Sequence, residues 1–345
     1  MITPLHTPCE QRKNMRFRFT TTAAVAVTAL LLAACGTTED PADAAGSSAA
    51  PAATGPVDVT DERGTVHLKA PAKNIVSLEW GLTENLIALG VTPVGGADVK
   101  GYNNFNTIAP LAATTPDVGT RGEPSLDAIV SLRPDLVVTT TDLPENVIAQ
   151  IAKQAPVLAL RGSDGTDPIG YMRRTVKTLA QATGTQQRGE ALLTDFDAKV
   201  AAGKAALAKA GKAGAPFAMA DGWIDSGTVS LRMYTPASFF GGVAAQLGLA
   251  NQWTAGGDKD YGLAQTDIEG LTKIKNKETA FVYVANKKDG GDAFVSALTG
   301  NAVWKQLPFV AQPNLHRLPD GIWMFGGPPS AAAYVDALVS ALTTA

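Results

Sequence analysis

Short apolar runs alternate with helical stretches along this chain, and one long helical stretch interrupts the alternation near the middle. Ile75-Val76-Ser77-Leu78 is a compact apolar run, followed by an amphipathic segment from Leu82 to Leu89 closed by Gly90. Leu126 to Leu132 predicts a helix, Leu136-Val137-Val138 a strand, Leu143 to Lys153 a helix and Pro156 to Leu160 a strand. Strands apolar throughout, separated by helices, belong to parallel sheets covered on both faces. Ile169 to Ala182 then predicts a helix ended near Gly184, and Gln186 to Ala210 a much longer one. Its Leu192, Leu193, Phe196, Val200 and Leu207 fall on one side at helical spacing. After Gly211 to Ala215 the rhythm restarts with Phe217 to Ala220, Val229 to Tyr234 and a helix over Ser238 to Leu249. Helix Ile268 to Ile274, strand Phe281 to Val284 and helix Ser330 to Leu342 complete it. The expected fold class is α/β: two α/β lobes with mainly parallel sheets, joined by one long rigid connecting helix. The lobes span 57–185 and 211–345, and the helix spans 186–210. Two cores suit this length, because a single core rarely grows past about 250–300 residues.

The beginning of the chain reads differently. Met15-Arg16-Phe17-Arg18 is a basic start, and Ala23 to Leu32 is an uncharged apolar core. This is signal-peptide architecture over residues 1–34, with translation expected from Met15, and it is too short for a permanent span. Leu32-Ala33-Ala34-Cys35 resembles a bacterial lipobox, which implies that Cys35 is lipidated and becomes the mature N-terminus. Two acyl chains suffice for stable anchoring to the cell membrane. Residues 35–56, rich in Gly, Ser, Ala and Pro, read as a flexible tether with a reach of roughly 25 Å. Val57 to Thr60 and Thr65 to Leu68 flank Asp61-Glu62-Arg63-Gly64, a hairpin signal.

Cleavage before Cys35 leaves 25 basic and 31 acidic residues, a net charge of −6, which argues against a nucleic-acid partner. Cys9 goes with the leader, so no disulfide is expected. His67 and His316 are the remaining histidines, too few for a site of His/Cys type, and no direct metal site is expected. No Walker loop, dinucleotide fingerprint or nucleophile elbow occurs, and Ile224-Asp225-Ser226-Gly227 lacks the first glycine of the last. The chain is not expected to be an enzyme, a secreted lipoprotein hydrolase being the competing reading.

Aromatic, glycine and arginine residues gather instead at expected loop ends. These are Trp80; Tyr102-Asn103-Asn104-Phe105; Arg121 in Val118 to Pro124; Arg232-Met233-Tyr234; Tyr261-Gly262; and Trp323-Met324-Phe325-Gly326-Gly327. Ligands of parallel α/β sheets collect at such strand ends, so a shared cleft is expected.

Several ordered motifs carry a resemblance. They are Ser77-Leu78-Glu79-Trp80, LIALGVTP from Leu86, DVGTRGEPSL from Asp117, and Leu132-Arg133-Pro134-Asp135-Leu136. The second half adds Asn251-Gln252-Trp253, Ala302 to Val310 and IWMFGGPPS from Ile322. From about Ile75 to Leu342 the chain resembles the iron–siderophore solute-binding proteins of ABC importers, most nearly the ferric-hydroxamate branch. The resemblance implies a monomer that carries ferric iron as a siderophore complex, with no cofactor. It also implies a partner permease with a cytoplasmic ATPase. Arg121 matches the arginine that contacts iron-coordinating oxygens. Phe105 and Tyr261 fall where that branch carries tryptophans, Trp323 matches a tryptophan, and Phe325 stands in place of a tyrosine. No counterpart to a further cleft tyrosine occurs in Thr139 to Leu143. Trp80, Tyr102, Arg232 and Tyr234 are further expected contacts. Asp127 and Glu269 match acidic residues that meet permease arginines. A catecholate complex would want clustered cations, for which only Arg232 and Lys100 join Arg121. Ferric catecholate, haem and cobalamin remain alternative ligands of the scaffold.

Overall fold

The computed structural model describes residues 55–344, so the leader, Cys35 and most of the tether lie outside the described residues. Strands β1 (Val57–Asp61) and β2 (Gly64–Leu68) form the expected hairpin. Its turn docks on a neighbouring strand, with the Glu62 amide donating to the Ala159 carbonyl at 3.2 Å. The first lobe holds β3 (Ile75–Ser77), α1 (Trp80–Ala88), β4 (Gly95–Gly96), α2 (Val99–Phe105), α3 (Leu126–Ser131), β5 (Leu136–Thr140), α4 (Glu145–Ala152), β6 (Val157–Leu160) and α5 (Pro168–Thr183). Its sheet runs β4-β3-β5-β6 and is parallel throughout. Every residue of β3, β5 and β6 is buried, as the unbroken apolar runs require.

Gly184 ends α5 in the left-handed region, with φ 72°, and its amide caps back onto Ala180. The connecting helix α6 (Gln186–Lys209) follows within two residues. All five residues read as its apolar side are buried. Two glycines let it lie close to both lobes. A Cβ at Gly189 would stand 2.9 Å from the Ala180 side chain, and one at Gly203 2.5 Å from Val335. The helix thus rests its first half on α5 of the first lobe and its second half on the C-terminal helix.

The second lobe contains β7 (Pro216–Asp225), β8 (Thr228–Tyr234), α7 (Phe239–Gln246), β9 (Ala250–Asn251), β10 (Leu263–Thr266), β11 (Ala280–Val284), α8 (Ala293–Leu298), α9 (Ala302–Gln306), α10 (Pro308–Ala311), β12 (Leu315–Arg317) and α11 (Pro328–Thr343). Its sheet is mixed: β7, β11, β12 and β9 are parallel, whereas β8 is antiparallel to both β7 and β10. The expected resumption of a strictly alternating pattern is therefore corrected at β7 and β8, which form a hairpin. Ser226 (φ 49°) and Gly227 (φ 81°) make its two-residue turn, and positive φ at both central positions matches strand twist. The helix expected over Ile268 to Ile274 is a single 3-10 turn, Gly270–Lys273. Ile268, Leu271 and Ile274 recur every third residue, a spacing that eclipses on a 3-10 turn.

Candidate functional site

Residues at and just beyond the C-terminal ends of β3, β5 and β6 meet Tyr261, Phe325 and Gly326 of the second lobe. Glu79, at the end of β3, is the N-cap of α1, its carboxylate accepting from the Trp80 amide at 2.9 Å. Arg121 leaves the 118–124 loop and donates from Nη1 to both Glu79 oxygens, at 3.1 and 3.3 Å. Its guanidinium lies over the Trp80 ring, 4.1 Å from the centroid, and 5.5 Å from that of Trp323. Burial pushes the Glu79 carboxyl above its usual range, and the Arg121 charge opposes that shift.

A continuous aromatic wall extends from this pair. Trp80 stacks on Phe105 at 5.6 Å and meets Trp323 edge-on at 4.9 Å. Trp323 contacts Phe325 at 5.2 Å, and Phe325 contacts Tyr261 at 5.6 Å. The Trp80 indole is fixed by donation to the Ala97 carbonyl at 3.1 Å, whereas the buried Trp323 Nε1 has no hydrogen-bond partner among the described residues. Tyr261 is aimed by its loop: the Asp258 carboxylate accepts from the amides of Asp260, Tyr261 and Leu263.

Three sequence-expected residues sit behind the wall. Tyr102, expected at a loop end, lies on α2, fully buried, its hydroxyl donating to the Ala109 carbonyl at 2.5 Å. It backs Trp80 edge-on at 6.5 Å. Tyr234 is likewise buried, with its ring 6.5 Å from Phe325. Arg232 lies over Phe325 at 5.3 Å but is bound bidentately by Asp221, with Nε to Oδ1 at 3.0 Å. Lys100 is exposed on α2.

Carboxylates are what sequence reasoning passed over: Glu79, Asp221 and Asp142. No local pattern marks them, because their partners lie elsewhere in the chain. Arg161 and Gly162 at the end of β6, which line the cavity beneath the wall, were also missed.

The lobes touch on both sides of the wall. Tyr261 donates its hydroxyl to Asp142, and its ring lies so near Gly162 that a Cβ there would overlap the hydroxyl. Gly165 donates to the Lys259 carbonyl at 3.2 Å. Opposite, Asn286 Nδ2 donates to the Asn104 carbonyl at 2.8 Å and the Thr107 amide to the Gly321 carbonyl at 3.0 Å. At the base a Cβ on Gly81 would stand 2.3 Å from the Phe325 carbonyl oxygen. The cavity left between Glu79, Thr140, Arg161, Tyr171, Tyr261 and Phe325 measures about 50 Å³. That admits a few waters, whereas small-molecule sites run to roughly 300–1,000 Å³.

Asp127 is exposed in the first turn of α3, and Glu269 is exposed just before the 3-10 turn of the second lobe.

Residues 75–321 match the periplasmic binding protein family. The iron(3+)-hydroxamate-binding protein FhuD of Escherichia coli (strain K12) is 28% identical over 81% of this chain and 91% of its own length. The Fe(3+)-citrate-binding protein YfmC of Bacillus subtilis (strain 168) is 26% identical over 77% of this chain and 79% of its own. Among solved structures, FhuD of Vibrio cholerae bound to Fe3+–Desferal aligns with a TM-score of 0.69 at 24% identity, covering 79% of this chain and 98% of its own. SirA of Staphylococcus aureus complexed with staphyloferrin B aligns with a TM-score of 0.64 at 25% identity, covering 83% and 98%. With the match running from the first strand of the parallel sheet to the turn before Trp323, the chain belongs to the periplasmic binding protein family.

Proposed function

We propose that this protein captures a ferric siderophore of the hydroxamate class between its lobes, outside the cytoplasm, and delivers it to an ABC permease for iron uptake. The observation that carries the reading is Arg121 laid across Trp80 at 4.1 Å, at one end of an unbroken aromatic wall. A ferric trihydroxamate has electron-rich oxygens around the metal and hydrocarbon linkers between them. Arg121 can donate charge-assisted hydrogen bonds to the oxygens. Trp80, Phe105, Trp323, Phe325 and Tyr261 bury the linkers, at about 25 cal/mol per Å². Tyr102, Tyr234 and Arg232 hold the wall in place from behind. The Tyr261–Asp142 and Asn286–Asn104 contacts join the lobes on either side of the wall, and a complex entering between the lobes would part them.

The curated relatives named for ferric hydroxamate and ferric citrate agree on ferric cargo. Each cleft arginine already faces a carboxylate, which weighs against a highly anionic catecholate. No catalysis and no cofactor is proposed. Cys35 is proposed as the lipid anchor, Asp127 and Glu269 as the permease contacts, and the working species as a monomer. Titration of tryptophan fluorescence with a ferric trihydroxamate tests the reading: saturable, stoichiometric quenching is expected, and no quenching overturns it.

A further inference from the structure

Asp142 differs from the cleft carboxylates that face an arginine. Glu79 is matched by Arg121, Asp221 by Arg232, and Asp164 by Arg161. Hydrogen bonds from the Thr166 hydroxyl and amide, with Arg161, hold Asp164 down at about 2, so that pair stays ionised. Asp142 has no cation within ion-pair distance among the described residues. It accepts from the Tyr261 hydroxyl across the lobes and from Thr140 Oγ1 at 3.1 Å. Those two donors fix where its charge sits, and the residue itself is exposed at the cleft rim. The arginines of the cleft are thus matched by carboxylates, while Asp142 offers a carboxylate held in place by two donors and open to solvent at the edge.

We propose that Asp142 is a selectivity residue that favours ferric complexes carrying a cationic amine arm over neutral ones. The inference rests on the hydroxamate reading of the cleft and narrows it. Three hydroxamates neutralise ferric iron, so the complex's net charge is set by what hangs from its linkers. A pendant ammonium directed at the rim would meet Asp142 while the metal centre meets Arg121. An anionic chelate would be repelled at the same point. An ion pair open to solvent is modest in strength, so the expected preference is roughly two- to fivefold and falls as salt rises.

The test is a pair of probes alike in every part but the charge: ferric desferrioxamine with its free amine, and the same complex with that amine acetylated. Fluorescence titration of the wild-type protein should show the amine-bearing complex binding roughly two- to fivefold more tightly. In Asp142→Asn, which can still accept from Tyr261 and Thr140, the two probes should bind alike. Asp142→Glu should restore the preference in part. Equal binding of the probes to the wild type, or a preference that survives Asp142→Asn, overturns the inference while leaving the hydroxamate reading intact. Binding of neither probe overturns both.

Discussion

Glu84 and Ser330 lie 246 residues apart, yet the Glu84 carboxylate accepts from both the Ser330 amide at 2.9 Å and its hydroxyl at 2.6 Å. Gly327 donates its amide at 2.9 Å and Asn106 its side-chain amide at 2.5 Å, so four donors converge on one fully buried carboxylate. The contact joins α1 of the first lobe to the N-terminus of α11, whose unpaired amides need such an acceptor. Ser330 Oγ also accepts from the Trp323 amide at 3.2 Å, so the same network positions a cleft aromatic.

Removing that carboxylate strands the amides of Gly327 and Ser330 in the interior. Buried donors without acceptors cost about 1–3 kcal/mol each, so Glu84→Ala should lose about 3 kcal/mol or more of stability. The pH dependence has a definite sign. Burial raises the Glu84 pKa above its ordinary 4.5, and the hydrogen bonds from Ser330, Gly327 and Asn106 oppose the rise. The folded chain then holds the proton more tightly than the unfolded chain. Glu84's contribution is full below pH 4.5 and is lost as pH climbs through the raised value. The stability of the wild type relative to Glu84→Gln should therefore fall as pH rises through that point. A wild type that gains on Glu84→Gln with rising pH would mean that the donors outweigh burial.

Arg121→Ala should weaken ferric-hydroxamate binding by roughly ten- to a hundredfold, the equivalent of about 1.5–3 kcal/mol for hydrogen bonds from a charged group. A bracing role for Arg121 in its own loop has little footing, since Thr120 Oγ1 accepts from the Glu123 amide while the guanidinium reaches Glu79. The variant also leaves Glu79 buried beside no cation. Its carboxyl should then titrate higher still, visible as a shifted pH dependence of the melting temperature. Unchanged affinity with lowered stability would assign Arg121 to the fold alone.

The strand rhythm was legible because buried parallel strands leave uninterrupted apolar runs, and the connecting helix because Leu192 to Leu207 keep one face. Two errors share a cause. Apolar spacing does not distinguish a hairpin partner from a crossover strand, as at Val229 to Tyr234. Nor does it distinguish an α-turn from a 3-10 turn, as at Ile268 to Ile274. In the site, the aromatics could be found from sequence because they concentrate in loops with glycine. The carboxylates could not: Glu79 meets Arg121 at a separation of 42 residues and Asp142 meets Tyr261 at 119, and only folding sets those distances.

Tyr261→Phe keeps the ring against Phe325 and removes the hydroxyl that bridges the lobes to Asp142. If rim contacts must open before a complex enters, this variant should associate with ferric hydroxamate roughly three- to tenfold faster in stopped-flow quenching, equivalent to about 1 kcal/mol off the opening step. Because α6 is packed on both lobes along its length, opening should be a small rotation. Scattering profiles of free and loaded protein should nearly coincide. Slower association in Tyr261→Phe, or a large compaction on loading, would contradict a closed rim on a stiff connector.

Asp127 and Glu269 are both exposed, one on each lobe, and neither forms an ion pair with another of the described residues. Asp127 stands in the first turn of a six-residue helix, where a carboxylate gains a few tenths to about 1 kcal/mol from the helix N-terminus. Glu269 has less of that benefit, because it precedes a four-residue 3-10 turn and makes no side-chain cap. Local stabilisation thus explains Asp127 in part and Glu269 hardly at all, whereas a cationic partner would use both. Charges facing such a partner mainly set encounter rate and orientation. Asp127→Ala combined with Glu269→Ala should abolish most iron–siderophore uptake by cells, while the purified double variant binds the ferric complex as tightly as wild type and melts within about 1 kcal/mol of it. Normal uptake by the double variant would remove these residues from the docking surface, and lost affinity would place them in the fold or the cleft.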